Sequence, residues 1–274
     1  MHDPRPADDP ANEAPTGGPG FPRWLKWSLL AALGVLVVGY GVIFLYAKVL
    51  NDSPAELTTD DLASALADPT IDPSTASTTA STTASTVAPA AEPTVAPSTA
   101  ATAAPVWNVT DASQLGYRVK EVLFGVDTEA VGRTNQITGT LTIDGTRVTQ
   151  AQFTVDVASI TSDESRRDGQ FTGRIMSTAE FPTAVFTLTE PIELGTAPAE
   201  GVEVAATASG DLTLRGVTNP VTFEVTAQLA NGRIGVFGNI PVVFADYRIA
   251  NPSIAGITTE DHGLLEFVLV FEPA

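Results

Sequence analysis

The chain has 274 residues, a formal net charge of −18 and a pI near 4.2, and it contains no cysteine. So strong a negative charge would repel the phosphates of nucleic acids, and we therefore expect no nucleic-acid partner. The absence of cysteine excludes disulfide frameworks, thiol nucleophiles and thiolate metal sites. Single domains are usually shorter than this chain, so part of it should lie outside the folded domain.

The N-terminal region divides into a polar tail and one long apolar segment. Residues 1–22 are rich in Pro, Gly, Asp and Ala without apolar periodicity, which predicts a disordered tail. The stretch from Trp27 to Tyr46 supplies about 20 apolar residues, the number that a helix needs to cross roughly 30 Å of hydrocarbon. A core helix would carry polar faces, and a signal peptide would have a shorter apolar stretch and a small-residue cleavage site. The segment 23–48 is therefore predicted to be an uncleaved transmembrane anchor.

The charges on either side of the anchor predict its orientation. Arg23 and Lys26 precede the apolar segment, whereas the single Lys48 after it is followed by several acidic residues. The excess of cationic residues on the N-terminal side favours a cytoplasmic N-terminus. We therefore expect a single-pass protein of the cell membrane, with a cytoplasmic tail at 1–22 and the C-terminal domain outside the cytoplasm.

Residues 49–105 are predicted to form a linker. They begin with a short acidic piece and continue as a low-complexity run of Ser, Thr, Pro and Ala, a composition that cannot bury a core. A coil of this length spans on the order of 40 Å, and a fully polyproline-extended one about 170 Å. The linker would thus act as a stalk that carries the domain away from the bilayer.

The folded domain is expected at 106–274, where apolar and polar residues alternate with a period of two, as is typical of half-buried strands. The apolar half of each alternation is predicted to line the interior: Phe153, Val155, Phe186, Leu212, Leu214, Phe223, Leu265, Phe267 and Leu269. The polar half is predicted to face water: Thr154, Thr187, Thr213, Glu224 and Glu266. One short helix is predicted within 162–173, with Ser162 or Asp163 as its N-cap.

These elements predict an all-β fold, an antiparallel barrel of about eight strands with one short helix. Closure of the sheet removes the exposed edges that an open sheet would present. An immunoglobulin-like sandwich is the competing architecture, but its Cys and Trp landmarks are missing. An eight-stranded barrel holds either side chains alone or one small ligand. Periodicity leaves both alternatives open, a lipid site or a packed core.

Several short motifs follow one another in a recognisable order. They are Trp107-Asn-Val-Thr-Asp-Ala-Ser113, Ile137-Thr-Gly139, Ser159-Ile-Thr161 with Arg167-Asp168, Phe181-Pro-Thr183, and Gly210-Asp-Leu-Thr-Leu-Arg-Gly-Val-Thr218 with Pro220-Val-Thr-Phe223. In this order, the stretch from Trp107 to Phe271 resembles the YceI-like family, lipocalin-like barrels described as polyisoprenoid-binding. The resemblance implies an extended antiparallel barrel whose tunnel holds the tail of an isoprenoid or a comparable lipid, usually outside the cytoplasm.

Few residues suggest chemistry. Neighbouring residues of an extended chain point to opposite faces, so Glu260-Asp261-His262 reads as a solvated turn rather than as a metal or acid-base cluster. Arg166, Arg167 and Asp168 are candidates for holding a pyrophosphate or hydroxyl head group at the barrel mouth, because Arg forks suit phosphate oxygens. In the alternative interpretation, Asp168 caps or bridges the short helix and Arg166 faces water. We expect no enzyme activity, no metal and no cofactor other than a bound lipid.

The resulting hypothesis is a membrane-tethered extracytoplasmic protein that holds a long-chain isoprenoid or similar lipid in an apolar barrel tunnel, for storage or transport. The alternative is a structural or adhesive domain of the cell envelope with a filled barrel and no ligand. The partners expected are the apolar lipid and the membrane, and a homodimer is left open.

The predicted anchor has a direct consequence for fractionation. The full chain should stay in the membrane fraction after washing with high salt or at alkaline pH, because an apolar helix in hydrocarbon is not held there by charge. Immunodetection of the chain in the washed pellet and in the supernatant measures this. Release by salt alone would show that the chain has no membrane span.

Overall fold

The computed structural model of the protein describes residues 23–45, 53–67, 104–254 and 256–274. The predicted tail at 1–22 and most of the predicted linker lie outside these ranges. Helix α1 comprises Arg23–Leu45, and its part Lys26–Leu45 is long and apolar enough to cross a membrane, a property that signal sequences share. No part of this span is buried against the rest of the described chain.

The domain consists almost entirely of strands. Their bounds are β1 Val106–Val109, β2 Gln114–Leu123, β3 Val126–Thr134, β4 Ile137–Asp144, β5 Arg147–Asp156, β6 Thr183–Leu188, β7 Ile192–Glu193, β8 Glu203–Leu214, β9 Val217–Ala230, β10 Arg233–Val243, β11 Ile257–Thr259 and β12 His262–Pro273. The helices are α2 at Thr59–Leu66 and α3 at Ser165–Gln170, which continues as a π-helical turn over Phe171–Ile175. Short 3-10 turns occupy Val157–Ser159 and Phe244–Tyr247.

Eight of these strands close into a ring. The order is β1-β4-β5-β6-β8-β9-β10-β12, every pair is antiparallel, and β12 pairs back with β1. The hairpin β2–β3 extends the wall, because β2 pairs with the first half of β12, and β11 pairs with the end of β2. The predicted all-β antiparallel barrel of eight strands is confirmed.

Two-residue turns with positive φ angles connect several of the long strands. Arg215-Gly216 joins β8 to β9, and Asn231-Gly232 joins β9 to β10. Such turns match the right-handed twist of the strands that they connect. The first of these turns lies within the Gly210–Thr218 stretch, one of the motifs on which the family resemblance rests. The guanidinium of Arg215 reaches the carbonyl of Arg248, so it holds the turn against the following loop, as a structural residue would.

A segment of the predicted linker packs against the outside of the barrel. We call Ser53–Ala67 the strap; it includes α2, whose first turn is closed by Asp61, which accepts from the amide and the hydroxyl of Thr58. Leu57, Leu62 and Leu66 of the strap form a buried apolar cluster with Val268 and Val270 of β12, and the last two leucines also lie against Gly235 of β10. A helix within 49–105 was not predicted, and neither was its contact with the domain.

The strap changes the environment of Glu266, which was predicted to face water. The side chain does point to the outside of the barrel, but it is only 1% exposed because the strap covers it. Its Oε1 accepts from the Nε of Arg118 at 3.1 Å and pairs with Arg133, while the amide of Leu57 donates to its Oε2 at 3.0 Å. The prediction for Glu266 was therefore wrong, whereas Glu224 is exposed as predicted.

The ionic network also ties the strap backbone to the barrel. Arg118 donates to the carbonyl of Pro54 at 2.8 Å and pairs with Glu129, and Arg133 donates to the carbonyl of Ala55 at 3.3 Å. Two guanidinium groups thus bridge one buried carboxylate and two strap carbonyls. Removal of the carboxylate would leave Arg133 partly buried without its counter-charge and would leave Arg118 with Glu129 alone.

This network predicts that Glu266→Gln destabilises the protein strongly. Removing one partner of a buried ion pair costs about 3 to 5 kcal/mol, because the remaining charge stays desolvated. The measurement is denaturant unfolding of the full chain in detergent, followed by far-UV circular dichroism. Glu272→Gln is the matched control, since Glu272 is exposed on the same face of the same strand. Equal unfolding midpoints for the two variants would contradict the network's role.

Candidate functional site

The barrel encloses one long apolar cavity of about 620 Å³. Its wall runs from Tyr117 and α3 at one end of the ring to Leu194 and Val202 at the other. All nine side chains predicted to point inward line it: Phe153, Val155, Phe186, Leu212, Leu214, Phe223, Leu265, Phe267 and Leu269. Their role in binding a ligand stays a prediction, but the alternation placed them on the correct face.

The inward side chains do not fill the interior. Phe153, Phe186 and Leu265 point into the ring and yet are only half-buried. Five phenylalanine rings form a continuous row of contacts along the wall, with centroid separations of 5.4 to 6.3 Å. The rings therefore pack against one another along the wall and leave open space beside them.

Inward-facing glycines make room for these rings. A Cβ atom at Gly210 would lie 2.4 Å from the ring of Phe186, and one at Gly238 would lie 2.7 Å from the ring of Phe267. Each ring thus lies against a glycine of a neighbouring strand, where the Cβ of any larger residue would displace it. The glycines consequently help to keep the lumen open, and the sequence interpretation did not assign them this role.

The polar groups of the cavity wall are concentrated at the α3 end. Those with ionisable or amide side chains at this end are Tyr117, Glu121, Glu164, Arg166, Arg167 and Gln170. The ring of Phe171 stacks on Tyr117 with centroids 4.7 Å apart, which holds the helical segment against β2. The site is therefore amphipathic, with an apolar body and one polar end.

The three head-group candidates have different surroundings. Arg166 is exposed, lines the cavity and makes no ion pair within the described part of the chain. Arg167 also lines the cavity, but it pairs with Asp163 and lies 3.7 Å from Glu121. Only one of the two arginines thus has a guanidinium available at the polar end.

Asp168 is placed differently from its two neighbours. It does not line the cavity, and its Oδ1 accepts from the amide of Ser162 at 2.8 Å and from its hydroxyl at 2.7 Å. The N-cap of α3 is Glu164, which accepts from the amide of Arg166 at 3.1 Å, so the prediction of Ser162 or Asp163 as N-cap was wrong. The structure favours the alternative in which Asp168 braces the turn that precedes α3.

Burial shapes the electrostatics of the polar end. Desolvation raises the pKa of Glu121, and the nearby Arg167 offsets this only in part. Desolvation likewise raises the pKa of Tyr117 well above its usual value, so its hydroxyl stays protonated at neutral pH. The polar end therefore offers hydroxyl, amide and guanidinium donors beside one destabilised carboxylate.

The surface cluster Glu260-Asp261-His262 lies outside the cavity. Nδ1 of His262 lies 2.8 Å from Asp261 and its Nε2 lies 3.3 Å from Glu260, and all three side chains are exposed. The hydrogen bond with His262 lowers the pKa of Asp261. Within the described ranges, no group of three His, Cys, Asp or Glu side chains is arranged to hold a metal ion.

The raised pKa of Glu121 predicts a pH-dependent effect of Glu121→Gln. The native pKa lies above the ordinary value of 4.5, so the ionised carboxylate destabilises the fold at neutral pH, and this penalty vanishes as the pH falls below the pKa of the unfolded chain. The variant should therefore raise Tm at neutral pH and leave it unchanged near about pH 4. Thermal melts across this range measure the effect, with the exposed Glu203→Gln as control. A variant that melts lower than the parent at neutral pH would contradict the assignment.

Two solved structures and one family model are similar to this chain. A polyisoprenoid binding domain from Saccharophagus degradans, implicated in plant cell wall breakdown, is 21% identical with a TM-score of 0.51, over 62% of this chain and 99% of that one. BcnA of Burkholderia cenocepacia is 22% identical with a TM-score of 0.46, over 59% and 98%. A search of curated proteins found no match. The family model described as YceI-like domain matches residues 107–271, and the chain therefore belongs to the YceI-like family.

Proposed function

We propose that the barrel binds one long apolar lipid of the isoprenoid class and that α1 tethers it to a membrane, with the domain outside the cytoplasm. The protein would store such a lipid or pass it between the membrane and an acceptor. No catalytic step is part of the proposal.

The observation that carries this proposal is the hollow apolar interior. A packed structural barrel would bury its inward side chains completely, whereas Phe153, Phe186 and Leu265 keep accessible surface around a cavity of about 620 Å³. Ligand sites of small molecules are typically apolar clefts with a few polar groups at fixed positions. The hollow interior argues against the alternative of a filled structural barrel. The Saccharophagus domain, described as polyisoprenoid binding, supports the choice of ligand class.

Apolar burial alone can supply the affinity. Burying about 20 methylene groups at ~0.8 kcal/mol each contributes on the order of 16 kcal/mol, before the costs of ordering the chain and of association. Even after these costs, tight binding needs no ion pair with the ligand. The polar end would therefore contribute direction and selectivity rather than most of the affinity.

The placement of polar groups gives the lipid a direction in the barrel. We place its head group at the α3 end, beside Arg166, whose guanidinium makes no ion pair within the described residues. Arg167, engaged by Asp163 and Glu121, would act on the head group only by its charge. The tail would extend past the row of phenylalanine rings towards Val202.

Two adjacent alanines of β8 provide a matched test of the cavity. Ala206 lines the cavity, and Ala205 is exposed on the outer face. Ala206→Trp should lower the amount of co-purified lipid strongly and change Tm little, because the indole enters space that the lipid occupies. Ala205→Trp should leave lipid occupancy unchanged. Native mass spectrometry of the full chain, gently extracted from its own membranes, measures occupancy, and a thermal melt measures stability.

The same variants distinguish a hollow from a packed barrel. In a close-packed core, the inward tryptophan would cost roughly 1 to 3 kcal/mol of overpacking. A parent protein that carries no lipid, together with an Ala206→Trp variant that melts far below it, would overturn the proposal and favour a structural role.

A further inference from the structure

The strap has a defined direction along the barrel. At its start, the hydroxyl of Ser53 donates to the carbonyl of Glu129 at 2.7 Å, close to the turn between β2 and β3. At its end, the carbonyl of Leu66 accepts from Asn231 at 2.9 Å and from Arg233 at 3.0 Å, at the turn between β9 and β10. These two turns lie at opposite ends of the barrel, since the eleven-residue β10 between them spans about 35 Å.

The start of the strap lies at the same end as the polar end of the cavity. Phe124, in the turn between β2 and β3, donates its amide to the carbonyl of Gly256 at 2.8 Å, and Arg174 beside α3 donates to the carbonyl of Pro252 at 3.1 Å. Glu121, near the end of β2, lies against Arg167 of α3. The chain therefore reaches the barrel at its α3 end.

Chain length limits how far this end can lie from α1. Eight peptide units join Leu45, the last residue of α1, to Ser53. They span at most about 30 Å, whatever their conformation. The 68–103 stretch joins the end of the strap to the barrel and has no bearing on this distance. If α1 crosses a bilayer and the strap stays docked, the α3 end is close to the bilayer and the opposite end is far from it.

The α3 end also carries exposed apolar side chains beside the cavity. Phe124 is 57% exposed, and Val122 and Ile254 are exposed next to it. Phe124 has φ +47° and precedes Gly125 with φ +87°, a turn in which Asn is the usual first residue, as at Asn231-Gly232. A bulky aromatic residue is disfavoured in a turn with positive φ and when its ring is exposed to water. The exposed ring of Phe124 therefore points to an apolar surface outside the chain that it contacts.

The charges at this end are mixed. Arg166 and Arg174 lie on the α3 segment, Glu260 and Asp261 lie at the same end, and Asp127 lies next to the Phe124 turn; all five are exposed. A purely electrostatic attraction to an anionic surface is therefore not favoured. An apolar tip within reach of the anchor fits the interfacial region of a bilayer better than it fits a charged partner.

We propose that the docked strap holds the α3 end of the barrel against the bilayer into which α1 inserts, and that Phe124, with Val122 and Ile254, enters its interfacial region. The polar end of the cavity then opens at the membrane, so a lipid can pass between bilayer and cavity without crossing water. This inference rests on the proposed membrane anchor and lipid ligand. The low-complexity stretch would determine the barrel's distance from the membrane only after the strap is released.

The absence of cysteine makes a site-specific test simple. Asp127→Cys places an environment-sensitive fluorophore beside the Phe124 turn, and Glu203→Cys places the same probe at the opposite end; both residues are exposed. The full chain is reconstituted in vesicles of phosphatidylcholine and phosphatidylglycerol that contain nitroxide-labelled lipid. The nitroxide-labelled lipid should quench the fluorescence of the probe at position 127 several-fold more strongly than that of the probe at position 203. Phe124→Asp should weaken the quenching at 127, whereas Val106→Asp, which changes an exposed valine at the far end outside the cavity lining, should leave it unchanged.

A second experiment releases the strap from the barrel. The double variant Leu62→Asp with Leu66→Asp removes the buried apolar face of α2, so quenching at position 127 should fall to the level seen at 203. Circular dichroism and a thermal melt confirm that the barrel is still folded. If the variant is unfolded, the double variant Asn231→Ala with Arg233→Ala, which removes the side-chain donors to the carbonyls of Leu66 and Ala67, is used instead.

The outcomes separate this inference from the proposed function. Flotation of the vesicles after an alkaline wash reports the anchor, and native mass spectrometry of the same sample reports lipid occupancy. Equal quenching at both positions in a floating, lipid-loaded chain would overturn the orientation alone. A chain that does not float would overturn the orientation and the anchor together.

Discussion

The interior of this protein depends on a geometric constraint: eight strands closed into a ring enclose more space than their inward side chains fill. The width of such a barrel is determined by its strand number and stagger, so small inward residues add empty volume rather than contracting the wall. Ala206 and Gly210 on β8, and Gly238 on β10, are such residues. The rings that cover the glycines lie along the wall, and the cavity follows from this arrangement.

Ring closure also explains where the polar groups can be placed. Along the body of the barrel, every inward position faces an apolar lumen, and an unpaired charge there would be costly to desolvate. Only at the α3 end, where the helical segment packs beside β2, do Glu121, Arg166 and Arg167 reach the cavity and water together. The pKa of Glu121 is raised because this partial burial destabilises its ionised form.

Sequence periodicity predicted an all-β domain and the inward faces of five strands, because a period of two is a local property of each strand. Closure into a ring was predicted from the exposed edges that an open sheet would leave. Periodicity did not predict the strap. The apolar outward pair Val268 and Val270 was a usable signal, since a solvated face of β12 would not carry both. Glu266 lies on the same face, and its charge suggested water because the covalent sequence does not show which distant cations surround it. Ion pairs with Arg118 and Arg133, far away in the chain, are a tertiary property.

The lining of the site could be predicted from the sequence, but its hollow interior and the separate roles of its polar residues could not. Alternation was sufficient to identify the lining residues, but it could not distinguish a hollow from a filled ring, since that depends on how rings such as Phe186 lie over glycines across strands. The motif of adjacent residues Arg166, Arg167 and Asp168 suggested one joint role, yet a helical turn points consecutive side chains in different directions. The structure accordingly gives them three environments: the open cavity end, an ion pair with Asp163, and a turn held by Ser162.

The strap connects these local features to the position of the whole domain. It is held at both of its ends, by the hydroxyl of Ser53 on the carbonyl of Glu129 and by the donors Asn231 and Arg233 on the carbonyl of Leu66, so the segment resists rotation as well as detachment. A flexible stalk alone would let the cavity face any direction, and each lipid exchange would then wait for a favourable orientation. If α1 is the membrane anchor, as proposed, a docked segment that begins within about 30 Å of it would remove most of that freedom before the proposed lipid is met. The same linker sequence can therefore serve as a positioning element over one short stretch and as a simple connection over the rest.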